Sequence, residues 1–135
     1  MDSAAIQEKL RSLLTARAQT DGIAAAYLFG STARGTARPD SDVDVGVLYS
    51  VDPPKTLAGM FDLEADLEAA LGKPVQVIVL NYAPVDLIIR ILRDGKLLLD
   101  RDRSRRSRFE VRSRNEFWDL EPYLRLYRRM GEAKP

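Results

Sequence analysis

A short apolar run, Ile23 to Phe29, stops at Gly30-Ser31, and ten residues later Asp42-Val43-Asp44 opens a second run ending at Tyr49. No other feature constrains the chain as much. In the second run Asp42, Asp44, Gly46 and Leu48 alternate with Val43, Val45, Val47 and Tyr49, which is the period of a strand. Both aspartates therefore fall on one face and the valines on the other. Glycine at the end of the first strand lets the backbone take positive φ and approach a ligand closely, since no Cβ intervenes. Ser31 can cap a short helix after this turn, where its hydroxyl and free N–H groups suit phosphate oxygens. Arg34 and Arg38 follow closely enough to neutralise phosphate charge. Two carboxylates on one strand face repel, and a hard divalent cation such as Mg²⁺ relieves the repulsion. A Gly-Ser turn alone is common and an Asp-x-Asp alone usually marks an exposed strand face; joined at this spacing they describe a nucleotide and magnesium site.

The other elements follow from periodicity. Ile6, Leu10, Leu13 and Leu14 set a helix over residues 3 to 18, with Asp2 or Ser3 as its cap and Asp21-Gly22 as its end. Met60, Leu63, Leu67 and Leu71 stripe a second helix from Lys55 to Leu71, stopped by Gly72 and Pro74. Val75 to Leu80 reads as a third, central strand. Leu87, Ile88, Ile91 and Leu92 mark another helix closed by Gly95, and Lys96 to Leu99 a short edge strand. Asp102 to Trp118 is helical, and Pro122 interrupts or restarts that helix before Met130. The 135 residues are expected to form a single α/β domain, residues 1 to 135, with a small sheet flanked by helices and a C-terminal helical region over about residues 101 to 135.

Cysteine and histidine are both absent. Thiol chemistry, a Cys/His zinc site and imidazole catalysis are thereby excluded, leaving carboxylates, hydroxyls, Lys, Arg and an oxygen-bound metal. No apolar run approaches the roughly 20 residues of a membrane span, and Met1-Asp2-Ser3 lacks the basic start of a signal peptide; a cytoplasmic protein is expected.

The joined pattern, with Ala33-Arg34-Gly35 inside it and Ser41 before the first aspartate, resembles the nucleotidyltransferase superfamily related to DNA polymerase β, and more narrowly its minimal nucleotidyltransferase (MNT) members, the antitoxins of HEPN ribonuclease toxins. The resemblance implies a nucleotidyltransferase fold with a mixed sheet. It also implies that Gly30 and Ser31 hold the phosphates of ATP, with Arg34 beside them, and that Asp42 and Asp44 are the catalytic and Mg²⁺-binding pair. The implied activity is transfer of AMP to a HEPN-domain toxin partner. The family normally carries a third carboxylate on the next strand, where this chain has Gln76, and that strand holds no Asp or Glu. A neutral amide can lend an oxygen but cannot serve as a base. The alternatives are catalysis by Asp42 and Asp44, helped by an acid from elsewhere such as Asp86, or a non-catalytic module that binds nucleotide and partner.

Residues 101 to 135 carry 11 Lys/Arg against 6 Asp/Glu, while the rest of the chain is net acidic. Seven arginines between Arg101 and Arg114 suit RNA, an acidic partner or a triphosphate. Glu110 and Glu116 dilute the run, which favours a solvated face or a protein contact over nucleic acid. Beyond it, Phe117, Leu120, Leu124 and Tyr127 form a helical stripe, expected to pack on the sheet.

Overall fold

A computed structural model describes residues 2–53 and 58–132. Helix α1 spans Ser3–Asp21, and β1 follows at Ile23–Phe29; the Asp2 carboxylate accepts the Ala5 N–H at 2.8 Å, and Gly22 closes the helix in the left-handed region. A five-residue helix α2, Gly30–Arg34, leads to β2, Val43–Tyr49. Then come α3 (Ala58–Leu71), β3 (Val75–Val79), α4 (Val85–Asp94), β4 (Lys96–Asp100) and α5 (Arg103–Glu132). The expected start of α3 at Lys55 lies outside the described residues.

The four strands form one mixed sheet in the order β3-β2-β1-β4, with β1 antiparallel to both neighbours and β2 parallel to β3. The expectation of a central third strand is thus corrected: β3 is an edge, and β1 and β2 are central. Its apolar composition has another cause than a central place. Val75 and Val77 turn into the core, while the outward N–H groups of the same two residues are taken by α3, Val75 by Glu68 Oε1 at 3.0 Å and Val77 by Glu64 Oε1 at 2.8 Å. Two carboxylates thereby satisfy the edge that would otherwise pair with another chain.

Both faces of the sheet are covered, which is why β1 is buried almost throughout. On one face Val43, Val45, Val47, Val75 and Val77 pack against Ile6, Leu10 and Leu14 of α1 and Leu63, Leu67 and Leu71 of α3. On the other, Ala25, Tyr27 and Leu48 meet Leu80, Ile88 and Ile91 of the α4 region and Phe109 of α5. Helix α5 then runs on without a break through Pro122, contrary to the expected interruption. Proline removes one N–H from the ladder, but Pro122 and Trp118 are both exposed, so the carbonyl it leaves free is available to water. The stripe past the arginines divides. Phe117 and Leu124 are half-buried and line a cleft with Ile89 and Arg90 of α4, whereas Leu120 and Tyr127 are exposed, as is Trp118.

Candidate active site

The end of β1 and the start of β2 lie side by side, because the antiparallel register pairs Phe29 with Asp44. Gly30 follows at φ +76°, where an L side chain is strained, and the carboxylate of Asp44 sits directly over it. A Cβ at position 30 would collide with Asp44 Oδ2 and lie 3.2 Å from its Cγ. The glycine is therefore required twice, by conformation and by space. Asp42, exposed, immediately precedes the strand that holds half-buried Asp44.

Burial pushes the Asp44 carboxyl above its ordinary range, the Asp42 charge pushes it further, and Arg34 opposes both. Two carboxylates held together at this cost, one against bare backbone, are suited to an oxygen-seeking divalent cation. Arg34 closes α2, exposed, and among the described residues its side chain makes no ion pair or hydrogen bond. Its charge also draws down Asp94, whose main partner is Arg93 at 3.0 Å. Asp94 stands 60 residues further along the chain, and only the packing of α4 beside α2 brings it near; local pattern carries no sign of it.

The other anticipated residues fare differently. Ser31 does not cap α2: Phe29 occupies the cap position, and Ser31 lies inside the first turn, with its carbonyl accepting the Thr36 N–H at 2.9 Å. Arg38 sits in the loop beyond α2 and, with Lys73 and Thr32, lines a cleft of about 460 Å³ behind that helix. Asp86 does not supply a further ligand. It stands in the first turn of α4 among Arg90, Arg93 and Arg128, and among the described residues no three of Asp, Glu, His or Cys could share a metal. Gln76 is where the family pattern suggests: the parallel register pairs it with Asp44, and it is exposed on the same face.

The arginine run is partly structural. Arg106 reaches Asp100 at 2.9 Å and Glu110 at 3.0 Å, and the Tyr27 hydroxyl donates to Glu110 at 3.0 Å from beneath α5. Burial and the adjacent Glu110 push the Tyr27 phenol well above its usual range. Arg105 leans on the Tyr49 carbonyl, and Arg112 pairs with Glu116. The contacts of Arg105, Arg106 and Glu110 fasten the helix to the sheet, the Arg112 pair lies within the helix, and less of the run is left available to nucleic acid.

The model of the polymerase beta nucleotidyltransferase family matches residues 8–104 of this chain. A protein adenylyltransferase MntA of Thermococcus cleftensis is 33% identical over 91 residues, spanning 64% of this chain and 90% of the relative. Among solved structures, a chain from a toxin–antitoxin pair solved with AMP-PNP superposes with a TM-score of 0.79 at 23% identity, covering 94% of this chain and 98% of its own. A chain from the tri-AMPylated HEPN toxin of Shewanella oneidensis in complex with MNT antitoxin gives 0.75 at 21% identity, covering 97% and 99%. The two structural likenesses concern the fold, and the family match takes in β1, the Gly-Ser turn, β2 and β3 together. This chain belongs to the polymerase beta nucleotidyltransferase family.

Proposed function

We propose that the chain is an MNT antitoxin that binds ATP with Mg²⁺ at Gly30, Ser31, Arg34, Asp42 and Asp44, and transfers AMP to a HEPN ribonuclease partner. The observation that carries this reading is the seating of the Asp44 carboxylate over Gly30 with Asp42 beside it. Asp42 and Asp44 would hold the cation, which when bound would supply charge neutralisation at the phosphates. The turn at Gly30-Ser31 offers backbone unobstructed by a side chain to the triphosphate, and Arg34 adds a positive charge at the same end of the sheet. An acceptor hydroxyl of the partner attacks the α-phosphorus and gives up its proton to solvent, the bond from the α-phosphorus to the bridging oxygen breaks, and pyrophosphate leaves. Positioning and charge account for the rate, as in other phosphoryl transfers. The adenylyltransferase name of the Thermococcus relative supports this reading.

One observation favours a second reading, neutralisation by binding without turnover: Gln76, opposite Asp44, cannot take a proton from the acceptor. The two separate on one experiment. Incubation with α-labelled ATP, Mg²⁺ and a HEPN partner transfers label to the partner if the chain is an enzyme, and Asp42→Asn or Asp44→Asn abolishes it. Neutralisation of the ribonuclease that survives both substitutions selects the binder.

A further inference from the structure

The site presents two carboxylates and, among the described residues, no third. Gln76 faces the same side as Asp44 from the adjoining strand and is exposed, so nothing in the packing would prevent an acidic side chain there. Among the described residues no other Asp or Glu joins the pair. Two divalent cations a few ångströms apart repel four times as strongly as two unit charges at that distance, and sites that hold two depend on carboxylates to offset this. Asp42 and Asp44 provide two negative charges, and Gln76 provides none. Arg34, meanwhile, is exposed, makes no ion pair among the described residues, and stands within electrostatic reach of Asp44.

We propose that this site takes a single divalent cation with its nucleotide, and that the Arg34 guanidinium supplies the positive charge that a second cation would bring. The proposal rests on the nucleotide reading above and adds the number of cations and the role of Arg34. A guanidinium presents several N–H donors in a fixed plane and suits phosphate oxygens, so it can replace charge at the leaving phosphates. It cannot polarise an acceptor as a metal does. The consequence is a site that binds triphosphate well and depends on the partner for the reactivity of the acceptor.

The test counts cations without requiring turnover. The full chain is dialysed to equilibrium against Mn²⁺ and AMP-PNP, with free Mn²⁺ read by electron paramagnetic resonance and bound nucleotide by absorbance. Wild type should hold one Mn²⁺ per nucleotide, and Gln76→Asp and Gln76→Glu should hold two. Arg34→Ala should lower AMP-PNP affinity tenfold or more in the wild-type background and by much less alongside Gln76→Asp, where a second cation supplies the charge. Two Mn²⁺ per nucleotide in wild type would overturn the proposal, as would a count of one in both Gln76 variants, or an affinity loss for Arg34→Ala that is the same in both backgrounds. Failure of wild type to bind AMP-PNP at all would overturn the nucleotide reading itself, a result distinct from any cation count.

Discussion

The carboxylate of Asp44 rests on the backbone of Gly30, so that the turn ending β1 and the acidic end of β2 form one surface. Neither residue can change without affecting the other. Gly30→Ala adds a methyl group at positive φ and drives it into Oδ2 of Asp44. The left-handed strain alone costs about 1–2 kcal/mol, and displacing the carboxylate should weaken Mn²⁺–AMP-PNP binding well beyond that loss. Chemical denaturation together with nucleotide titration checks both expectations.

Asp44 is held at the expense of stability. Its carboxyl is raised above the ordinary value near 3.8, first by burial and then by Asp42, so the charged form is disfavoured in the folded protein. This group's contribution is most favourable below the unfolded pKa and declines as pH rises through the folded one. At neutral pH Asp44→Asn should therefore raise Tm without ligand, and the difference should shrink as pH falls towards the ordinary carboxyl range. With Mg²⁺ and AMP-PNP the order should reverse, because only the wild type gains from binding. Calorimetric scans at several pH values, with and without ligand, read this directly.

The anchor of α5 is a network of Arg106 with Asp100, Glu110 and the Tyr27 hydroxyl. Arg106→Ala leaves two partly buried carboxylates without their cation and should cost about 2–4 kcal/mol. Tyr27→Phe removes one hydrogen bond to an anion and should cost about 1.5–2 kcal/mol. Arg106→Lys should recover only part of the loss, since an ammonium cannot span both acids as the guanidinium does. Urea unfolding of the three variants gives the ranking.

The outer edge of β3 is guarded by Glu64 and Glu68. Replacing both with alanine frees two strand N–H groups, costs about 1 kcal/mol for each bond, and opens an edge to pairing between molecules. Glu64→Gln with Glu68→Gln keeps a carbonyl acceptor at each position and should behave like wild type. Size-exclusion chromatography over a range of concentration separates the two pairs.

Much of the architecture was legible locally. The cap at Asp2, the turns at Gly22 and Gly72, the period of two in β2 and the stripes of α1, α3 and α4 each depend on a few neighbouring residues, and all were found where their spacing places them. The geometry of the candidate site was legible for the same reason: Gly30, Asp42 and Asp44 lie within 15 residues, and the pairing of β1 with β2 brings them together.

What short-range pattern could not express is which distant faces meet. The edge position of β3 and the alignment of Gln76 with Asp44 follow from strand order and register, and the arrival of Asp94 near Arg34 and the separation of Asp86 from the acidic pair follow from how α4 packs. Those are chosen by burial summed over α1, α3, α4 and α5 against the two sheet faces, a quantity that no single segment contains. The same holds for α5. Its periodicity marked Phe117, Leu120, Leu124 and Tyr127 as one stripe, but α4 covers only Phe117 and Leu124, and the limit of that packing surface decides which of the four are left in water.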